Sequence, residues 1–156
     1  MGHPALRSKA KKISRIDRSV QKLLDDMLET MRDAPGVGLA ANQVGVLQRL
    51  LVVEVDDTVY QLVNPEILRA DGEHIGEEGC LSMPGYYGDV KRAANVVVQG
   101  RTRNGKEVRV AAQGLLAIVF QHEIDHLDGK LFVDRLVSLD SLRYTRIPGE
   151  LKEVRI

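Results

Sequence analysis

The sequence is poor in cysteine and in aromatic residues: its 156 residues include one cysteine, no tryptophan and two phenylalanines. The single cysteine, Cys80, cannot form an internal disulfide, which fits a reducing compartment and leaves its thiol free for other chemistry. No apolar run is long enough to span a bilayer, and the N-terminal stretch MGHPALRSKAKK lacks the apolar centre of a secretory signal. We therefore expect a cytoplasmic protein with no membrane partner.

Net charge is also lacking, because 22 lysines and arginines balance 22 aspartates and glutamates. No overall field would draw the protein to nucleic acid, so we expect no direct reading of nucleic acid, although a local basic patch is not excluded. A hydrophobic content of 44% is too high for a disordered chain. Because no linker or repeat interrupts it, we expect a single domain over residues 1–156, with a short C-terminal tail from about residue 137.

The spacing of apolar residues predicts two helices. They recur at steps of three and four from Asp17 to Arg32, with Asp17 as a plausible N-cap. The run LLAIVFQHEIDHLDG, residues 115–129, is long enough for a helix of about four turns. It is apolar at its start and ends at Asp128-Gly129.

Segments rich in β-branched residues and broken by turn formers predict strands between these helices. They lie at residues 49–55, 58–65 and 66–75, the last of them around a turn at Asp71-Gly72. Asn104-Gly105 is a strong signal for a two-residue hairpin between further strands. The pattern predicts an α+β fold in which antiparallel or mixed strands wrap around a central helix, the one that carries the sequence HEIDH.

The stretch QHEIDHL, residues 121–127, has the spacing of a metal site on a helix. His122 and His126 lie one above the other on a helix, where they can bind one ion, and Glu123 lies beside that ion as a base for its water. Two solvated histidines are the alternative, but the apolar LLAIVF before them predicts burial, and buried imidazoles need partners. We expect Asp125 at the surface and Asp128 at the helix end.

A third ligand must come from elsewhere, since a catalytic site typically has three protein ligands and an open position. Cys80 stands in EEGCLSMPGYYG, residues 77–88, which we expect to form a tight glycine-rich loop. A lone cysteine is most often a small buried hydrophobe, whereas beside two histidines it becomes a thiolate ligand. One sulfur and two nitrogens suit Zn²⁺ or Fe²⁺ rather than Mg²⁺ or Ca²⁺.

Three motifs, GVGLAANQ (36–43), EGCLS (78–82) and HEIDH (122–126), closely resemble those of the peptide deformylase family, in the same order. The resemblance implies a metal-dependent hydrolase that removes the N-formyl group from N-formylmethionine of nascent polypeptides and releases formate. Cys80, His122 and His126 would hold one divalent ion. By resemblance this ion is Fe²⁺ in cells, with Zn²⁺, Ni²⁺ or Co²⁺ often found after purification.

The resemblance also implies roles for other residues. Glu123 would accept a proton from water and pass it to the departing amine, while the Gln43 side chain and the Leu81 backbone N–H would stabilise the oxyanion. The methionine side chain would lie against Val37, Ile118 and Val119, which could equally be core, and the backbone near Gly38 would pair with the peptide. Two further pairs stay open: Tyr86 and Tyr87 either rim the pocket or pack, and Glu78 and Arg92 either brace the Cys80 loop or form a plain surface pair.

The chain departs from the family at three places. It starts almost at HPALR, where relatives have a short apolar strand first; Asn42 replaces a usual Pro or Thr; and the tail lacks a long basic helix, which leaves contact with the ribosome open.

Two other classes of function are weighed against this one. A zinc peptidase normally takes its third ligand after the second histidine, and nothing there is in register. A closed structural zinc site needs a fourth protein ligand, and the remaining histidines, His3 and His74, lie outside ligand spacing.

Overall fold

The computed structural model describes residues 4–145, so His3 and the tail beyond residue 145 lie outside it. The described residues form two α-helices and eight β-strands, with short 3₁₀ turns between them. The elements are α1 (Arg18–Asp33), β1 (Gly38–Ala40), β2 (Leu50–Val55), β3 (Thr58–Asp71), β4 (His74–Cys80), β5 (Met83–Arg92), β6 (Asn95–Arg101), β7 (Glu107–Gln113), α2 (Gly114–Leu127) and β8 (Arg143–Tyr144).

Helix α1 forms as its apolar spacing predicts. The Asp17 side chain caps it by accepting a hydrogen bond from the Val20 N–H at 3.0 Å. Its buried face consists of Val20, Leu24, Met27 and Met31, at steps of four and three. That face packs on one side of the larger sheet.

The larger sheet has five antiparallel strands in the order β1-β2-β3-β6-β7. Successive residues of β2 point to opposite faces of the sheet, and a helix covers each face. Leu50 and Val52 join the core beneath α1, whereas Leu51 and Val53 join the core beneath α2. Because a helix covers each face, β2 is apolar along most of its length rather than alternating with polar residues.

The hairpin predicted at Asn104-Gly105 joins β6 to β7, with Gly105 at a φ of +83°. The strands predicted at 58–65 and 66–75 differ from the structure, because β3 runs without a break from 58 to 71. Asn64 adopts a φ of +52° at a shift of register against β6, which accommodates Pro65 inside the strand. The predicted turn at Asp71-Gly72 then leads to β4.

The smaller sheet, β4-β5-β8, corrects the prediction of a glycine-rich loop around Cys80. Cys80 is the last residue of β4, and residues 81–82 form a tight turn into β5. His74 begins β4 and is exposed. Gly79 is opposite Tyr87, and a Cβ there would lie 2.6 Å from the Tyr87 ring. The glycine therefore permits close cross-strand packing, a long-range contact that local sequence does not reveal.

Helix α2 contacts strands of the five-stranded sheet, and it contributes Ala117, Val119, Phe120, Ile124 and Leu127 to the largest core cluster of the described residues. Its C-cap is Asp128, and Gly129 follows with a φ of +76°, as predicted. The predicted α+β class, with antiparallel strands around the helix that carries HEIDH, is confirmed. No helix within residues 4–145 has the length and apolar character needed to cross a membrane.

Candidate active site

Three regions that are distant in the chain meet at the middle of α2. The helix contributes His122, Glu123 and His126, strand β4 contributes Cys80 at its end, and the 3₁₀ turn Ala41–Val44 contributes Gln43. The two imidazoles and the Glu123 carboxylate are at most 1% exposed, and Cys80 is 4% exposed. Burial of this many polar groups at one point is costly unless each has a partner.

The three expected ligand atoms converge. Nε2 of His126 lies 3.2 Å from Sγ of Cys80 and 3.2 Å from Nε2 of His122. Tetrahedral bonds of about 2.0–2.3 Å place neighbouring ligand atoms about 3.3–3.7 Å apart, close to these separations. Within residues 4–145, this is the group of cysteine, histidine and acidic side chains with the geometry to hold an ion. The donor set therefore fits one metal ion.

Protonation in the metal-free protein is set mainly by burial. Burial lowers the pKa of His122 and lowers that of His126 well below its usual value, so both imidazoles are neutral, as a metal ligand requires. Burial, together with the charge of Glu123, raises the pKa of Cys80 to about 12. Cys80 must therefore lose a proton when it binds an ion.

A buried carboxylate orients the first histidine. Oε1 of Glu78 lies 2.9 Å from Nδ1 of His122, and since a carboxylate can only accept, Nδ1 carries the proton and Nε2 is left to bind metal. Arg92 donates to both Glu78 oxygens at 2.8 and 2.9 Å. Burial alone would raise the pKa of Glu78, but hydrogen bonds from His122 and Arg92 lower it to about 2. Of the two readings left open for Glu78 and Arg92, the structure favours bracing over a surface pair.

Arg92 extends this network to Asp125, whose Oδ2 accepts from the guanidinium at 2.8 Å. The expectation that Asp125 lies at the surface is wrong, because it is 8% exposed and also accepts hydrogen bonds from Arg135. Two signals could have revealed this role of Asp125. It precedes His126 directly on the helix, and histidines that bind a metal usually have carboxylate partners of their own. Asp128 does lie at the helix end, paired with Arg49.

Glu123 is the unusual group of the site. Neither carboxylate oxygen has a hydrogen-bond partner among the described residues, and Oε1 lies 3.8 Å from Nε2 of His122. Burial raises the pKa of Glu123 well above its usual value. Gly38 of β1 packs against it, since a Cβ at Gly38 would lie 3.0 Å from Cγ of Glu123 and 2.8 Å from Cγ1 of Val119. A buried carboxyl with a raised pKa and no partner among the described residues is a candidate for proton transfer.

Gln43 points its amide nitrogen toward Cys80. Its Oε1 accepts from the Ala40 N–H at 2.8 Å, which leaves Nε2 3.0 Å from Oγ of Ser82 and 3.7 Å from Sγ of Cys80. Leu81 lies in the two-residue turn directly after Cys80. Sequence reasoning missed Ser82, whose N–H also contacts the Cys80 sulfur at 3.4 Å.

The residues expected around the substrate differ in burial. Val119 is fully buried in the main core, while Val37 and Ile118 are partly buried against it. Tyr87 is buried and packs on Gly79, whereas Tyr86 is 40% exposed and its ring centroid lies 4.9 Å from that of Tyr144. Of the two alternatives for Tyr87, rimming the pocket or packing in the interior, the structure favours packing.

The fold and the H-E-x-x-H helix define a metal-dependent hydrolase. Residues 1–141 match the sequence profile of polypeptide deformylase, and the chain belongs to that family. It is 52% identical over 141 residues to the peptide deformylase of Halothermothrix orenii, covering 89% of this chain and 92% of the relative. It is 48% identical over 161 residues to that of Thermomicrobium roseum, covering 97% and 90%.

Solved structures agree with this assignment. A peptide deformylase from Legionella pneumophila superposes with a TM-score of 0.83 at 48% identity, over 88% of this chain and 83% of that one. A peptide deformylase from Synechococcus elongatus in complex with actinonin gives a TM-score of 0.86 at 45% identity, over 90% and 78%. The chain is a deformylase, and neither a zinc peptidase nor a structural zinc module is favoured.

Proposed function

We propose that Cys80, His122 and His126 together hold one divalent metal ion, and that this site removes the formyl group from N-formylmethionyl peptides. The observation that carries the proposal is the position of the unpartnered Glu123 carboxyl beside three ligand atoms that lie within 4.8 Å of one another. Thiolate and imidazole ligands suit Fe²⁺ in cells, and Zn²⁺, Ni²⁺ or Co²⁺ in purified protein.

Glu123 is the proton carrier of the proposed reaction. When bound, the ion would act as a Lewis acid that makes water easier to deprotonate near neutral pH. One oxygen of Glu123 would accept a proton from the water that attacks the formyl carbonyl. Glu123 would then give this proton to the departing amine of methionine.

Gln43 and Leu81 stabilise the charge that develops on the formyl oxygen. Nε2 of Gln43 is held in place through Oε1, so its N–H groups face the ligand sulfur without further rearrangement. The backbone N–H of Leu81 supplies a second donor from the turn after Cys80. In known oxyanion holes, the loss of one donor costs about 2.7–4 kcal/mol of transition-state stabilisation.

Strand β1 is the proposed binding edge for the peptide. It is the outer strand of the five-stranded sheet, so its free side can pair with an extended substrate backbone near Gly38. Val37, Ile118 and Val119 lie beside this edge or on the facing helix, and they would surround the methionine side chain. The partly buried pair, Val37 and Ile118, is the more accessible part of that surface.

The proposed substrate also indicates the partner of the protein and the compartment in which it acts. The partner is the nascent polypeptide, met in the cytoplasm and near the ribosomal exit tunnel, where a reducing environment keeps Cys80 a free thiol. One catalytic domain over residues 1–156, with a tail from about residue 137, would carry the whole activity.

The test combines a formate-release assay with metal analysis on protein prepared without oxygen. A formyl-methionyl peptide should release formate in proportion to the metal content, and the same peptide without its formyl group should remain intact. Removal of metal by a chelator should abolish activity, and one equivalent of Fe²⁺ should restore it. Hydrolysis of the unformylated peptide, or activity independent of metal, would contradict the proposal.

A further inference from the structure

The charge of the chain is segregated, although its sum is zero. The basic segment, residues 7–18, contains six lysines and arginines and one acid, which leaves 16 cations against 21 acids in the remaining sequence. Asp17, the one acid, is engaged in capping α1 through Val20 and Ser19. The segment therefore presents a local positive field on a chain that has none overall.

Most cations of the basic segment form no ion pair. A hydrogen bond from Ser19 lowers the pKa of the Asp17 carboxyl, and Arg15 lies close enough to lower it further. Arg7 pairs with Asp134 at 2.5 Å. The other five are exposed and form no ion pair with any residue from 4 to 145; they are Lys9, Lys11, Lys12, Arg15 and Arg18. Elsewhere on the surface, cations such as Lys22, Lys91 and Arg143 do have carboxylate partners. Five other exposed cations among residues 4–145 also lack an ion pair, namely Arg69, Arg101, Lys106, Arg109 and Lys130, but the basic segment holds five within ten residues, the densest group in that range.

The basic segment is held rigidly, although it is irregular in structure. Lys11 forms an isolated bridge with Gln48, through its N–H to Leu47 O and its carbonyl to Arg49 N. Asn64 binds the segment next to it, accepting from the Ile13 N–H at 2.8 Å and donating to its carbonyl at 2.7 Å. These contacts fix the backbone that carries the charges, which reduces the entropy lost when a ligand binds.

A groove of about 530 Å³ runs along this segment. Lys11, Lys12 and Arg15 line it, together with the hydroxyl group of Ser14 and the amide of Gln48. Asp17 and Ser19 also line it, and the Ser19 hydroxyl donates a hydrogen bond to the Asp17 carboxylate. Ammonium, guanidinium, hydroxyl and amide groups are the donors that bind phosphate and sugar oxygens in nucleic-acid complexes. None of these residues belongs to the metal site.

We propose that the basic segment is a docking surface for the phosphate backbone of RNA, read without regard to base sequence. An anionic membrane is a poorer match, because surface binding to lipid uses a row of exposed apolar side chains. Here Ile13 and Ile16 pack on the core beneath α1, and Leu47 is the one large apolar side chain of the groove that is exposed. The binding is independent of base readout, in keeping with the absence of exposed aromatic groups in the groove.

The test measures binding of a fluorescent RNA hairpin of mixed sequence to the full, metal-loaded chain as salt is varied. The variant Lys11→Gln/Lys12→Gln/Arg15→Gln removes three groove charges. Its matched control, Arg101→Gln/Lys106→Gln/Arg109→Gln, removes three exposed charges from the β6–β7 hairpin. Both variants should deformylate a short formyl peptide as the wild type does, because neither touches the site.

The groove variant should bind RNA at least tenfold more weakly, and the slope of log K against log salt should fall in magnitude by about 2–3, since each of three phosphate contacts contributes about 0.7 in a single strand and about 0.9 in a duplex. The control should keep most of the affinity and the slope. Equal losses in both variants, no RNA binding by the wild type at physiological salt, or tighter binding to phosphatidylglycerol vesicles or polyglutamate would overturn the proposal. Failure of deformylation would leave this binding result unaffected.

Discussion

Oε1 of Glu78 lies 2.9 Å from Nδ1 of His122, although the two residues are 44 positions apart in the chain. Strand β4 carries Glu78 and helix α2 carries His122, so this contact joins the smaller sheet to the helix of the metal site. It fixes the tautomer in which Nε2 of His122 faces Cys80 and His126.

Replacing Glu78 with Ala should weaken metal binding by about 10–100-fold, the usual effect of losing the outer partner of a ligating histidine. The change also leaves Arg92 buried with one fewer carboxylate, so the free energy of unfolding should fall by about 3–5 kcal/mol. A chelator competition and a urea titration measure the two effects. Glu77→Ala, at the neighbouring position on β4, is the control and should change metal affinity little.

Replacing Glu123 with Gln should abolish turnover and leave the metal content near that of the wild type. Gln fills the same space but cannot carry the proton, so kcat should fall by about 10²–10⁴-fold. Formate release and metal stoichiometry, measured on the same preparation, separate the two effects. Loss of the ion in this variant would mean that Glu123 is a ligand.

Replacing Gln43 with Leu should lower kcat by about 10²–10³-fold with a smaller change in KM, because its donor acts mainly on the charge of the transition state. Ser82→Ala is a useful comparison, since Ser82 contacts Nε2 of Gln43 and would act only by positioning it. That variant should lose less activity. An unchanged kcat in the Gln43 variant would remove this side chain from the oxyanion site.

Binding of metal to the apo-protein should release a proton from Cys80. Burial raises the pKa of this thiol to about 12, so the protonated form dominates at neutral pH in the metal-free state. A higher pH favours the thiolate that binds the ion, so metal affinity should rise with pH through the neutral range. Calorimetric titrations of the apo-protein with metal, in two buffers of different ionisation enthalpy, measure the number of protons released.

Replacing Cys80 with Ser should weaken metal binding. An unchanged metal stoichiometry in that variant would exclude the sulfur as a ligand.

Much of the site could be predicted because its residues lie close together in the sequence or within a recognisable motif. The spacing of His122 and His126 predicts a shared ion on helix geometry alone. Cys80 is predicted as the third ligand because it is the one cysteine of the sequence and stands in a glycine-rich segment, and the resemblance to a family motif supports that choice. The Glu78–Arg92 pair was one of two alternatives offered by the sequence, but its contacts with Asp125 and His122 escaped prediction because these residues come from different elements and meet only in the folded chain. Charged residues with no local motif are by default assigned to the surface.

In the fold, too, the elements set by local sequence could be predicted, whereas those that depend on pairing with distant strands could not. Helix α1 and the β6–β7 hairpin follow from short-range periodicity and turn residues. Strand β5 was missed because its glycines and proline argue against a strand, and it forms through pairing with β4. The continuity of β3 through Asn64-Pro65 likewise depends on its neighbours β2 and β6.

The most direct measurement of the central claim is X-ray absorption spectroscopy of the protein loaded without oxygen with one equivalent of Fe²⁺ or Zn²⁺. For Zn²⁺, we predict one sulfur at about 2.3 Å, two imidazole nitrogens at about 2.0–2.1 Å and a light atom from solvent at the fourth position. A spectrum without sulfur, or one in which protein atoms fill all four positions, would contradict the account.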